Sequence, residues 1–169
     1  MGSPKRGHAI EALAAGCAVA FVVILGSAAY WDRTIRVLHV FESFPYIVAA
    51  VFCLRQRKLG YMLGAAGGAF WLWMASTLTT FVRNGFERVA MLLQTGHVDR
   101  LDILIAAPAA FVTAGLGLFS LWGYSRTRNK SWSDLGLFVV TTGAVGCFFI
   151  VIFAAFAPQY LGMFKHLFG

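Results

Sequence analysis

Runs of about twenty apolar residues recur five times along the chain, and that length is what an α-helix needs to cross roughly 30 Å of hydrocarbon at 1.5 Å per residue. The runs cover Ile10 to Tyr30, Arg33 to Leu54, Leu59 to Val82, Leu101 to Trp122 and Leu135 to Ala157. No water reaches backbone N–H and C=O groups inside a bilayer, so each run must be a helix or belong to a closed barrel. The alternating pattern of barrel strands is absent. The expected fold is an all-α integral membrane protein, a single five-helix transmembrane bundle over residues 1–169. Composition agrees: 59% of residues are hydrophobic and 12% charged, with a mean hydropathy of +0.73. The loops between the runs are too short to build a separate water-soluble domain.

The first run follows a basic start, "MGSPKRGHAI", and ends in small residues, which a secretory signal peptide also does. Its length favours a retained first span. Arg6 speaks against myristoylation, which requires Ser or Thr at the sixth position. The formal charge of +7 does not point to nucleic acid, because the basic residues are divided among short loops instead of forming one phosphate-binding face. Cys17, Cys53 and Cys147 fall in three different runs with no C-x-x-C or metal-ligand spacing, so they are expected to be free thiols used in packing.

Local signals agree with the division into spans. "SWSD", with Ser131 and Asp134, has the capping-box spacing that opens a helix. Asp32 is expected to cap the second span, and Asp99 or Asp102 the fourth. Pro45 and Pro108 each remove a backbone donor and are expected to kink spans two and four. In the connection "RNGFERVAMLLQTGHVDRLD", Phe86, Val89, Ala90 and Leu93 recur at helical spacing, Arg83 and Glu87 stand four apart, and Gly96 suits a helix end. A short amphipathic helix on the outer surface, between spans three and four, is expected there.

Lys and Arg in alternate loops set the orientation. Lys5, Arg6, Arg55, Arg57, Lys58, Arg126, Arg128 and Lys130 lie on one side; Arg33, Arg36, Arg83, Arg88, Arg100 and Lys165 lie on the other, spread over longer segments. The reading is a bacterial cytoplasmic membrane protein with its N-terminus inside and its C-terminus outside. The clusters "RQRK" and "RTRNK" then face anionic headgroups.

Four of the five spans carry stripes of small residues: Ala12, Gly16, Ala20 and Ser27; Gly60, Gly64 and Gly68; Ala106, Ala110, Thr113 and Gly117; Gly136, Gly143, Cys147 and Ala154. Lipid tails are as apolar as leucine, so helices associate in a bilayer by close approach along such stripes. Packing inside the bundle is the default use. Phe70, Trp71 and Trp73, with Phe148, Phe149, Phe153 and Phe156, are the kind of aromatics that line a quinone or pigment groove or meet a partner subunit, although core and lipid-facing aromatics are commoner. No cofactor is identified by sequence.

One span departs from pure hydrocarbon. In "RVLHVFESFPY", Arg36, His39 and Glu42 descend one side of the second helix below Asp32, with Ser43 beside them. A charged ribbon cannot face lipid without a cost of about 3 kcal/mol or more per group. It is expected to face the bundle, with Glu42 held by His39, Arg36 or an outer arginine. Two other uses compete: Glu42 as the protonatable site of a small oligomeric transporter or channel, and metal or haem ligation by His39 with His97, Asp99, Asp102 or His166. No nucleophile-base pair, phosphate loop, zinc signature or nucleotide fingerprint accompanies them. The sequence therefore reads as a non-catalytic accessory subunit of a larger membrane complex, whose partners are the lipid bilayer and other membrane subunits or further copies of itself.

Overall fold

The computed structural model describes residues 8–158, and these are helical throughout with short connections and no strand. Four helices are long and apolar enough to cross a membrane: Ala9–Trp31, Arg33–Leu54, Leu101–Ser125 and Trp132–Phe156. They match the first, second, fourth and fifth expected spans to within a few residues.

The first helix, α1 (Ala9–Trp31), ends where the Asp32 side chain accepts from Thr34 N–H at 2.9 Å and opens a 3-10 turn over Arg33–Ile35. That turn leads into α2 (Arg36–Leu54). Helix α2 runs through Pro45 and stops at Gln56, whose φ of 55° is left-handed. Arg57 N–H then donates back to the Phe52 carbonyl at 2.9 Å, so the chain reverses within a few residues and α3 (Lys58–Trp73) returns alongside α2.

The expected third span, Leu59 to Val82, is shorter than its hydropathy suggests. Regular α-helix stops at Trp73 and is followed by a π-helical turn over Met74–Leu78, in which Thr79 N–H reaches the Met74 carbonyl at 3.2 Å. The cause lies in the threonines of "STLTT". Thr77 Oγ1 donates to the Trp73 carbonyl at 2.6 Å and Thr79 Oγ1 to that of Ala75 at 3.4 Å, drawing backbone acceptors away from the regular ladder. Thr80, with φ 53°, then turns the chain. Phe81 and Val82 belong to the next helix, α4 (Phe81–Thr95), which Gly96 closes at φ 69°.

The fourth span starts with a single turn, α5 (Leu101–Leu104), and resumes as α6 (Ala106–Ser125). Pro108 falls in the first turn of α6 instead of kinking a continuous helix, a position where its missing N–H matters least. Asp99 and Asp102 do not cap this span. Asp99 meets Arg88 at 3.4 Å, and Asp102 accepts from Arg100. The capping box before α7 (Trp132–Phe156) forms as expected, with Ser131 N–H donating to Asp134 Oδ2 at 3.1 Å.

Helix α1 packs on α2 and α6, and α3 is enclosed by α2, α6 and α7. The glycines of α3 allow this. A Cβ at Gly60 would strike the backbone of Phe52 and Cys53 in α2, one at Gly64 would strike Ser120 in α6, and one at Gly68 would lie 2.6 Å from the Thr113 carbonyl oxygen of α6. Four-residue spacing drifts around a helix by about 40° per step, which is how one row serves two neighbours. Phe21, Tyr46, Tyr61, Leu116, Phe149 and Phe153 fill the core.

Candidate functional site

The inner end of the polar ribbon of α2, His39, Glu42 and Ser43, faces the bundle, whereas Arg36 above it is exposed. Glu42 is only 3% exposed, and its Oε2 lies 2.5 Å from His39 Nδ1, three residues earlier on the same face. At that distance the two atoms share one proton: either the ring N–H donates to the carboxylate, or the carboxyl O–H donates to the ring nitrogen. Ser43 Oγ donates to the His39 carbonyl at 2.8 Å, which uses its hydroxyl locally.

Arg36 does not join this pair. Its Nε donates at 3.1 Å to the Ala29 carbonyl, tying the start of α2 to the last turn of α1. Helix α1 leaves carbonyls without intrahelical acceptance there, and a guanidinium one helix away satisfies one of them. Of the three residues singled out by spacing, the structure brings two into contact and gives the third a main-chain partner.

His39 and Glu42 line a cleft of about 80 Å³, room for a few waters. Its walls come from every long helix: Phe21 and Ala28 of α1, Trp71 and Met74 from the third span, Ala106 of α6 and Phe153 of α7. Thr79, Phe81 and Ile105 stand at the breaks in the third and fourth spans, so the interruptions of the helices also shape the cleft. One turn further along α2, an aromatic layer follows. Phe21 packs edge-on against Tyr46 at 4.5 Å and against Trp71 at 5.1 Å, and the Tyr46 hydroxyl donates to the Gly67 carbonyl at 3.1 Å. The second nitrogen of His39, Nε2, is buried and has no hydrogen-bond partner among the described residues.

The candidate metal ligands do not converge. Among the described residues no group of three or more His, Cys, Asp or Glu could hold a metal ion. His97 lies in the exposed segment after α4, where its N–H donates to Thr95 Oγ1 at 3.2 Å, and Asp99 and Asp102 are engaged by arginines. His166 lies outside the described residues. The aromatics divide: Trp71 lines the cleft, Phe70 stacks on Phe149 at 5.0 Å, and Trp73 is exposed.

A second polar cluster stands at the opposite end of the bundle. Lys58 donates to Asp134 and to the Asn129 carbonyl, and Tyr124 O–H donates to Asp134 Oδ2 at 3.0 Å. Spacing singled out Asp134 only as a helix cap. The signal that would have found the rest is a lone acid at a span end facing a lysine at another.

No family model matches the chain, and neither a curated protein nor a solved structure matches it.

Proposed function

We propose that the chain is a non-catalytic accessory or structural subunit of a larger energy-converting or transport complex in a bacterial cytoplasmic membrane. In this reading it crosses five times, with its N-terminus inside and its C-terminus outside. Helix α3 with its π-turn, Lys58 to Leu78, supports the fifth crossing, since that stretch covers about 31 Å. Exposed Phe86, Leu92 and Leu93 beside Arg83 and Glu87 support α4 as an amphipathic helix at the outer surface.

One observation carries the reading. Gly136, Gly143, Cys147 and Ala154 fall within about 20° of one line along α7, and all four are exposed. A Cβ at Gly136 or Gly143 would meet nothing within 4 Å among the described residues. Whereas the glycines of α3 are used inside the bundle, α7 turns the same kind of stripe outward, where a helix of another polypeptide can approach.

A photo-reactive residue placed at Cys147 tests this in the native membrane. A cross-link to a different polypeptide is the expected product. Lipid adducts alone would sink the reading, and a cross-link only to a second copy of the chain would transfer support to self-association.

The second reading, a small oligomeric transporter or channel with Glu42 as its protonatable site, has the buried His39–Glu42 pair and its cleft in favour. Proton or ion flux in proteoliposomes that is unchanged by Glu42→Gln removes it. A haem- or metal-binding redox protein using His39 has only the unpartnered Nε2 in favour, and a featureless absorbance scan with a metal-free elemental analysis removes that.

A further inference from the structure

Helices α6 and α7 are consecutive in sequence, yet they do not pack along their length: α7 rests on α3 and α2, while α6 rests on α3 and α1. The space between them is a groove of about 280 Å³, floored by Tyr61, Met62 and Ala65 of α3 and walled by Leu121 of α6 and Leu135 and Phe138 of α7.

The polar mouth of the groove is formed by Tyr124, Ser131 and Asp134. Asp134 is already saturated by Lys58, Tyr124 and the Ser131 N–H, so it leaves no free acceptor for a cation. Lys130 Nζ stands over the Tyr124 ring at 5.8 Å, and the Arg126 guanidinium over the Trp122 ring at 5.0 Å. Arg128 is exposed between them. Among the described residues none of these three cations meets a carboxylate.

We infer that the groove between α6 and α7 is a binding site for one anionic phospholipid, its acyl chain against Met62, Ala65 and Phe138 and its phosphate against Arg126, Arg128 and Lys130. Lys130, which also donates to the Ser125 carbonyl at 2.6 Å, stands over the ring of the mouth residue Tyr124, and Arg126 and Arg128 share its loop. An apolar slot with cations that meet no carboxylate at its mouth matches the two halves of such a molecule, and a zwitterionic lipid would bring its own cation to the same place. The site is independent of the accessory-subunit reading, since Asp134, Leu135 and Phe138 lie on another face of α7 than the outward stripe of Gly136, Gly143, Cys147 and Ala154.

The test is native mass spectrometry of the full chain in mild detergent, with equal amounts of phosphatidylglycerol and phosphatidylcholine of identical acyl chains. The expected result is an excess of about tenfold of the anionic adduct, falling to near parity when Arg126→Gln, Arg128→Gln and Lys130→Gln are combined. Ala65→Phe, which fills the floor, is expected to lower retention of both lipids. If that variant does not fold, the surface triple substitution decides alone. Equal retention by the unsubstituted chain, or selectivity unchanged by the triple substitution, overturns the site. Thermal stabilisation by inorganic phosphate equal to that by phosphatidylglycerol also overturns it, because an anion patch without an acyl slot would explain that.

Discussion

Lys58, the first residue of α3, donates to both carboxylate oxygens of Asp134 at 2.9 and 2.8 Å, across 76 residues of sequence. The same carboxylate closes the capping box of α7 and accepts from Tyr124 of α6, so one acid joins the ends of three helices. Removing the lysine leaves a carboxylate committed to that position without its cation. Lys58→Met is expected to lower the unfolding midpoint in detergent clearly more than Arg83→Ala, whose exposed pair with Glu87 is worth ~0.5 kcal/mol or less. Equal midpoints for the two variants would show that the Asp134 junction does not brace the fold.

Two glycines should respond oppositely to the same change. Gly68→Ala places a Cβ 2.6 Å from the Thr113 carbonyl oxygen, a backbone atom that cannot swing away, and is expected to cost about 1–3 kcal/mol. Gly143→Ala meets nothing within 4 Å among the described residues and is expected to leave stability unchanged or slightly raised. Thermal melts of the two purified variants make the comparison.

Tyr46 combines a ring and a hydroxyl whose contributions separate by substitution. Tyr46→Phe keeps the edge-on contact with Phe21 and loses only the bond to the Gly67 carbonyl, for about 0.5–1.5 kcal/mol. Tyr46→Ala removes a fully buried ring and is expected to cost about 3–5 kcal/mol. Chemical unfolding monitored by tryptophan fluorescence reads both.

The His39–Glu42 pair should behave as a unit. His39→Ala strands the Glu42 carboxyl at 3% exposure and is expected to cost about 3–5 kcal/mol. The double substitution His39→Leu with Glu42→Met removes the charge and refills the space, and should be less destabilised than the single one. A double variant that loses at least as much as the single one would mean that the two side chains do not depend on each other.

The long apolar runs were legible because membrane thickness dictates their length, and four of the five appear in the structure to within a few residues. The end of the third was not, since hydropathy continues through Phe81 and Val82 while the hydroxyls of Thr77 and Thr79 disrupt the ladder. Within the polar ribbon, three-residue spacing offered His39 as one of three partners for Glu42, beside Arg36 and an outer arginine, and the structure puts His39 in contact with it. It could not assign Arg36, because its partner is the Ala29 carbonyl and a main-chain oxygen carries no residue label. Small-residue spacing looked alike on α3 and α7. Only the tertiary arrangement distinguishes the row pressed into the bundle from the row turned outward. It likewise leaves Cys147 exposed where a packed thiol was expected, with Cys53 buried and Cys17 between. The cleft was illegible for a related reason, since its walls come from all the long helices and from two helix breaks.

The unequal helix lengths have a mechanical consequence. Helix α1, with 23 residues, and α7, with 25, are longer than the 16 residues of α3, and the longer ones reach about 35 Å or more against a hydrocarbon layer of ~30 Å. Most of the short rod is buried by its neighbours, so a change of bilayer thickness is expected to act on the tilt of the peripheral rods. The glycine-lined centre keeps its register while the rim leans.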